Sequence, residues 1–110
     1  MGLFHRRKKQ EEGTDPRLLA RMDGKEVKYV TRRELDESGS PVESVIGKEG
    51  RLNTQNGRIV VVCNGTEVFR CPIEGVKCGE LLSLEGIVIQ GVNTYTNAPD
   101  TIVAYYKYYR

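Results

Sequence analysis

The sequence has few of the residues on which most catalytic sites depend. Its 110 residues include one histidine, three cysteines and no tryptophan. The histidine, His5, stands beside Arg6 and Arg7, whose positive charges disfavour the protonated imidazole, and its polar surroundings offer nothing to orient a general base. Ser-His-Asp and Cys-His nucleophilic catalysis are therefore not expected.

The cysteines also lack the spacing of a metal site. Cys63, Cys71 and Cys78 are eight and seven positions apart and form no Cys-x-x-Cys pair. An odd number of cysteines is typical of a reducing compartment rather than of a disulfide scaffold. We expect buried structural thiols, no bound metal and no cofactor.

Long apolar runs and enzyme motifs are missing as well. No stretch approaches the roughly 20 apolar residues of a membrane span, and the N-terminus does not resemble a secretory signal, so a cytoplasmic location is expected. Residues 47–50, Gly-Lys-Glu-Gly, lack the full pattern of a phosphate-binding loop. The carboxylates at Glu34, Asp36 and Glu37 crowd one loop and indicate solvated charge. No catalytic residue is predicted.

Positive charge is concentrated at the beginning of the chain. Residues 1–33 contain ten lysines and arginines against five acidic residues, whereas residues 34–110 contain seven against ten. The first part therefore carries a net charge of +5 and the remainder −3. Attraction to a polyanion would have to come from this first third.

Local patterns divide the chain into an arm and one β domain. Residues 1–15 are polar and lack periodicity, which predicts a flexible basic arm, and residues 16–110 are expected to form a single β domain. The dipeptide Asp23-Gly24 is typical of a type I′ turn and predicts a first hairpin, in which Leu18 and Tyr29 face the core.

The dipeptide Asn64-Gly65 marks a later hairpin. The length of its loop decides which residues of the two strands share a face, because side chains alternate between faces along a strand. A two-residue loop would place Ile59 on the same face as Arg70. A three-residue loop over residues 63–65 places Ile59 with Cys71 instead. The second arrangement makes the more apolar face, so the sequence favours the longer loop.

The remaining patterns complete an all-β fold. Val42 to Ile46 predicts a short strand that residues 47–50 interrupt, and Val76 to Leu84 is compatible with one helical turn. Further predicted features are a turn at Asn56-Gly57, strands over Ile87–Ile89 and Ile102–Tyr109, and a polar loop over Val92–Asp100. Seven or eight short strands separated by turn glycines predict a small barrel or sandwich.

The basic residues of the first third form one candidate binding surface. Spaced cations on a flat β face can neutralise phosphates and bind nucleic acid with little sequence preference. The same pattern is typical of a solvated strand face, and no aromatic residues for base stacking alternate with the cations. The candidate contacts are Arg6, Arg7, Lys8, Lys9, Arg17, Arg21, Lys28, Arg32 and Arg33.

A second candidate surface is the tyrosine-rich C-terminus. Alternation along a strand places Tyr105 and Tyr109 on one side and Tyr106 and Tyr108 on the other, so one pair can join the core. Exposed tyrosines suit a protein interface, and the last strand could pair with another chain if it were a sheet edge. The tyrosines equally suit the covering of a neighbouring strand.

Longer runs of the sequence resemble known proteins. Asn56 to Cys71, Gly79 to Gly86 and Ile102 to Tyr109 together look like a group of short bacterial proteins with no assigned function, which implies no activity. The segment Gly86-Ile87-Val88-Ile89-Gln90-Gly91 is loosely similar to Sm-like RNA-binding barrels, where an apolar strand commonly ends in Arg-Gly. Gln90 replaces that arginine, and no loop matches the family's RNA contacts.

These observations favour a non-enzymatic bacterial binding module of the cytoplasm. The first hypothesis is contact with nucleic acid or another polyanion through the basic first third. The second is a protein-interaction or self-assembly domain that uses the tyrosine-rich C-terminal strand, with a homo-oligomer as one form. Contact of Leu3, Phe4 and the arm cations with a membrane surface is a third hypothesis.

The polyanion hypothesis predicts salt-dependent binding. At about 50 mM salt the chain should bind mixed RNA and DNA, and binding should weaken as salt rises because phosphate contacts release counterions. Replacing Arg17, Arg21 and Lys28 together by alanine should weaken it further, as fluorescence anisotropy would show. No binding at this salt, or an unchanged affinity of the triple variant, would contradict the hypothesis.

Overall fold

Alternating apolar and polar residues build seven strands in residues 14–107, the part of the chain that the structure, a computed structural model, describes. One short helix precedes them. The elements are α1 (Pro16–Met22), β1 (Glu26–Leu35), β2 (Pro41–Asn53), β3 (Arg58–Cys63), β4 (Thr66–Pro72), β5 (Lys77–Glu80), β6 (Gly86–Asn93) and β7 (Ala98–Tyr106). The all-β prediction is confirmed.

All seven strands belong to one antiparallel sheet in the order β4-β3-β2-β1-β7-β6-β5. The sheet curls into a half-barrel, so that β4 approaches β6. The backbone N–H of Thr94, between β6 and β7, donates to the carbonyl oxygen of Arg70 on β4 at 2.7 Å. A single sheet thereby covers its own apolar face, and of the two predicted architectures the small barrel is the one observed.

The inner face of the curled sheet and one side of α1 form the core. Each large apolar side chain buried there contributes about 1.5–3 kcal/mol to folding relative to exposure. The largest fully buried side chains include Phe69, Met22, Leu52, Ile59, Ile87, Ile89 and Ile102.

The hairpin predicted around Asp23-Gly24 is wrong, because its first arm is helix α1. Asp15 caps the helix: its Oδ1 accepts a hydrogen bond at 2.8 Å from the backbone N–H two residues on, and Pro16 occupies the first turn. Leu18 and Met22, four residues apart, both face the core. These two positions satisfy alternation and helical spacing equally, so periodicity alone could not decide between them.

Asp23-Gly24 still turns the chain, but in another geometry. Asp23 has φ −63° and ψ 127°, and Gly24 has φ 80°, as in a type II turn. The N–H of Lys25 closes the turn on the carbonyl of Met22 at 3.1 Å. The N–H of Gly24 donates to the carbonyl of Leu52 at 2.7 Å, which fastens the start of β1 to β2.

The Asn64-Gly65 hairpin has the predicted faces but not the predicted loop. Both turn residues have positive φ, 54° and 77°, and Cys63 pairs with Thr66, which defines a two-residue type I′ turn. The extra residue lies in β4, where Val68 forms a bulge. The bulge restores the apolar face, whose buried members are Ile59, Val61, Phe69 and Cys71.

Strand β2 continues through the segment that was predicted to interrupt it. Residues 47–50 lie within this 13-residue strand, and two glycines let it pass close to Cys63. A Cβ at Gly50 would lie 2.0 Å from the carbonyl oxygen of Val62, and a Cβ at Gly47 would lie 2.7 Å from the Cys63 Sγ. These glycines therefore serve close strand packing rather than a turn.

Two other boundaries differ from prediction. The ambiguous segment from Val76 to Leu84 contains strand β5 over residues 77–80, followed by a turn in which the N–H of Leu84 donates to the carbonyl of Leu81 at 2.8 Å. The polar loop predicted over Val92–Asp100 shortens to residues 94–97. The loop is shorter because Val92 pairs with Pro99 as part of the β6–β7 hairpin.

Replacing Gly50 by alanine tests the close packing of β2. Because the new Cβ would overlap a backbone carbonyl, the Gly50→Ala variant should lose about 3 kcal/mol of unfolding free energy, measured by urea denaturation. Gly79→Ala is the matched control, since a Cβ at Gly79 meets nothing within 4 Å, and it should stay within about 0.5 kcal/mol of wild type. Equal stabilities of the two variants would contradict the packing.

Candidate binding surface

The described cations that were predicted to contact nucleic acid are engaged within the fold. Lys28 lies over an aromatic ring, with its Nζ 5.9 Å from the centre of Tyr29. The other four form ion pairs with N–O distances of 3.0 to 3.4 Å: Arg17 with Asp15, Arg21 with Glu80, Arg32 with Asp100, and Arg33 with Glu43.

These five cations do not share one surface. Arg17 and Arg21 belong to α1, whereas Arg32 and Arg33 are consecutive in β1 and point to opposite faces of the sheet. Within residues 14–107 this set therefore forms no continuous basic patch. The remaining candidates, Arg6, Arg7, Lys8 and Lys9, lie outside the described residues, so polyanion contact through the arm stays a prediction.

The Arg32–Asp100 pair is partly buried. The Arg32 Nε donates to both Asp100 oxygens, at 3.0 and 3.1 Å, and the Asn93 Nδ2 donates to Asp100 Oδ2 at 2.9 Å. Asn93 is buried, and only 11% of the Asp100 side chain is exposed. Removing one partner would leave a nearly buried charge, so the structure favours a structural role for Arg32.

The last described strand is not a sheet edge. Strand β7 pairs with β1 on one side and with β6 on the other, so it does not lie at an edge of the sheet. The prediction of edge pairing through this strand is wrong. Tyr106 joins the core while Tyr105 stays half-exposed on the opposite face, as alternation predicted. Tyr109 lies outside the described residues.

Tyr105 belongs to an ordered cluster on the outer face of the sheet. Its ring stacks on Tyr29 with 4.6 Å between centroids and 26° between planes. Its hydroxyl donates to Glu43 Oε1 at 2.8 Å, and the same oxygen accepts from the Thr31 hydroxyl at 2.7 Å. The Arg33 Nε donates to Glu43 Oε2 at 3.4 Å. Side chains from three strands thus hold the tyrosine pair in one conformation.

The carboxylate of Glu43 is stabilised in its charged form. The hydrogen bond from Thr31 contributes most to lowering the pKa of Glu43. Burial opposes this effect, and the hydrogen bonds from Tyr105 and Arg33 lower the pKa by smaller amounts. Burial and the neighbouring carboxylate raise the pKa of Tyr105. At neutral pH Tyr105 therefore stays protonated, and its hydroxyl donates a hydrogen bond to the ionised Glu43.

Cross-strand pairing extends this cluster into a surface. Thr31 lies opposite Val45 on β2 and Val103 on β7, so these side chains point the same way. Val45 is 53% exposed, whereas Val103 is buried. We call this surface the tyrosine face and define it as Tyr29, Thr31, Arg33, Leu35, Glu43, Val45, Val103 and Tyr105.

A groove adjoins the tyrosine face at Arg33. Its volume is about 640 Å³, within the range of ligand pockets. The connection between β4 and β5 contributes Glu74, the start of β5 contributes Lys77, and the β6–β7 hairpin contributes Val92 and Pro99. The groove therefore combines charges of both signs with apolar walls, a composition that suits a peptide segment.

The cysteines do not form a nucleophilic site. All three are free thiols; Cys63 and Cys71 are buried, as expected, and Cys78 is partly buried. Burial raises the pKa of each thiol, that of Cys71 to about 12, so the reactive thiolate is scarce at neutral pH. Within residues 14–107 no three His, Cys, Asp or Glu side chains are grouped to hold a metal ion. His5 lies outside the described residues.

Comparisons with known proteins supply no neighbour from which a role can be transferred. No protein-family model, no curated protein and no solved structure matches the chain. The resemblances to short bacterial proteins and to Sm-like barrels therefore stay predictions. The described part of the chain also has no helix with the length and apolar character needed to cross a membrane.

Sequence reasoning missed most of the tyrosine face. Tyr29 was predicted to face the core with Val27, but the register of β1 against β7 shifts between these residues and leaves Lys28 as an extra residue. This bulge turns Tyr29 outward. Neither Glu43 nor Val45 carries a sequence signal, because their place on the face depends on pairing with β1.

The charge of Glu43 should stabilise the fold in a pH-dependent way. Its pKa in the folded state lies below the unfolded value of about 4.3, so the stabilisation is complete above that value and is lost as pH falls through the folded pKa. Glu43→Gln should therefore be less stable than wild type at pH 7, by less than about 1 kcal/mol because the side chain is partly solvated. Urea unfolding between pH 2 and about pH 7 measures the difference.

The stabilities of wild type and Glu43→Gln should converge at about pH 2, where Glu43 is protonated. Tyr105→Phe, which keeps the ring stack but removes one donor to Glu43, should show a smaller pH-dependent difference than Glu43→Gln. A stability difference between Glu43→Gln and wild type that is the same at both ends of the pH range would show that the carboxylate charge does not organise the cluster.

Proposed function

We propose that this protein is a non-enzymatic binding module whose tyrosine face contacts another protein. The observation that carries this proposal is the fixed Tyr29–Tyr105 stack beside exposed apolar side chains. Val45 is 53% exposed and Leu35 72% exposed on the same face. Rigid tyrosines next to exposed aliphatic groups are typical of protein-binding surfaces, since they bury a large area at low entropic cost.

The hydrogen bonds of Glu43 support this role. Ordering a free side chain at an interface costs about 0.5–1.5 kcal/mol, and the Glu43 bonds already restrain Tyr105, Thr31 and Arg33 before a partner arrives. A partner would therefore lose less free energy to ordering on this surface than on a mobile one.

The adjoining groove extends the proposed interface beyond the tyrosine face. Arg33 belongs both to the tyrosine face and to the groove wall, and Thr101, which pairs with Arg33, also lines the groove. An extended segment of the partner can lie across the tyrosine pair and continue into the groove. Glu34, Glu74 and Lys77 then select its charged side chains.

Polyanion contact is the second proposed function. It is supported by the +5 charge of residues 1–33. The four described arginines of that region form ion pairs, and Lys25 and Lys28 lie over tyrosine rings. This proposal therefore depends on Arg6, Arg7, Lys8 and Lys9.

A charge placed on the tyrosine face should weaken protein binding. When the intact chain is used as affinity bait, the wild-type protein should retain a stoichiometric partner and Val45→Asp should bind it at least about tenfold more weakly, because the carboxylate would be buried in the apolar contact. Leu82→Asp is the matched control, since Leu82 is fully exposed in the turn after β5, outside the tyrosine face.

If the partner is a second copy of the chain, sedimentation of the purified protein should detect the oligomer. Hydrogen exchange should in that case show protection of backbone amides on β1 and β2. Equal retention by the Val45→Asp and wild-type chains would refute the proposed surface. So would a monomeric chain that retains no partner at all.

A further inference from the structure

A second pocket lies on the β3–β4 hairpin, outside the tyrosine face. It has a volume of about 280 Å³ and opens between the Asn56-Gly57 turn and the β6–β7 connection. Arginines are its charged lining residues, and no carboxylate lines it. The complete lining is Asn56, Gly57, Arg58, Arg70, Pro72 and Thr94.

Strand register explains why the two arginines meet. Arg58 lies opposite Pro72, and Val60 lies opposite Arg70, so both arginines point to the outer face of the hairpin as diagonal neighbours. Diagonal neighbours on one sheet face are about 7–8 Å apart, within reach of long side chains. The two guanidinium groups therefore flank the same pocket.

A neighbouring carboxylate orients one of these guanidinium groups. The Nε and Nη2 of Arg70 donate to the two oxygens of Glu67 at 2.7 and 2.8 Å, and the Tyr95 hydroxyl also donates to Glu67. The Nη1 of Arg70 makes no hydrogen bond to another described residue. Glu67 thus fixes the direction of the guanidinium and leaves part of its donor edge available to a ligand.

The other lining groups supply uncompensated donors. The side chains of Arg58, Asn56 and Thr94 make no hydrogen bond or ion pair with other residues of the described range 14–107. Glu67 pairs with Arg70 and also interacts electrostatically with Arg58, so these three side chains together keep a positive net charge. A pocket with surplus positive charge, an amide and a hydroxyl matches an anion that accepts several hydrogen bonds.

We propose that this pocket binds the phosphoryl group of a small phosphorylated ligand. Guanidinium groups present parallel N–H donors that match the spacing of phosphate oxygens, and such charge-assisted bonds are stronger than neutral ones. The small volume suits one or two phosphoryl groups rather than a large organic body. This site does not depend on the tyrosine face, because the pocket shares no residue with that face and only Pro72 with the adjoining groove.

Titration of the full chain with inorganic phosphate tests the proposal. At constant pH and about 0.15 M ionic strength, where long-range attraction is screened, amide NMR signals of Asn56, Gly57 and Thr94 should shift saturably. Pyrophosphate should bind more tightly than phosphate because it offers more acceptor oxygens. Arg58→Gln should weaken phosphate binding by at least about tenfold.

Arg51→Gln is the matched control, since it removes the same charge from β2 without touching this pocket, and it should leave the affinity within about twofold. Shifts that do not saturate, that chloride reproduces, or that the Arg58→Gln variant shows with unchanged affinity would overturn the proposal. Binding of an RNA oligonucleotide that requires Arg58, without binding of phosphate or pyrophosphate, would overturn it in favour of a nucleic-acid contact.

Discussion

The structure depends on the ability of one sheet to curl tightly enough to bury its own apolar face. Glycine–cysteine contacts permit this curvature. Gly47 and Gly50 of β2 lie against Cys63, and a Cβ at Gly91 of β6 would lie 2.9 Å from the Cys71 Sγ. Small side chains at these points let the strands approach where any larger pair would hold them apart. The approach of β4 to β6, and hence a closed core without a second sheet, follows from these contacts.

The sequence predicted the fold class because alternation survives wherever a strand has one buried face. Ile59 and Cys71 were placed on the correct face even though the loop between their strands was assigned the wrong length. Prediction failed where two physical explanations produce one pattern. Leu18 and Met22 satisfy both a helix and a strand, and the glycines of residues 47–50 are equally typical of a turn and of close strand packing. Tertiary contacts decided both cases.

The candidate binding residues were less predictable because a sequence shows charges without their partners. Arg21 pairs with Glu80, and Arg32 with Asp100, across 59 and 68 positions of the chain. These pairings compensate the charges of Arg21 and Arg32 locally. Tyr105 was identified from composition, but the interaction that orders it comes from Glu43, 62 positions away. Such contacts exist only once the strand order is known.

Two β-bulges connect the fold to both proposed sites. In regular strands Tyr29 would share the inner face with Val27, and Glu67 would share it with Phe69. The extra residues Lys28 and Val68 reverse this parity, so that Tyr29 reaches Tyr105 on the outer face and Glu67 reaches Arg70.

If they were buried in the core, the Tyr29 hydroxyl and the Glu67 carboxylate would need internal hydrogen-bond partners. Apolar residues at positions 29 and 67 would be enough for the curling of the sheet. Bulges commonly redirect side chains at binding sites, and here each bulge delivers the side chain that organises one proposed surface. The two bulges that interrupt the alternating pattern of the sequence therefore also place the side chains of the proposed binding surfaces outside the core of the barrel.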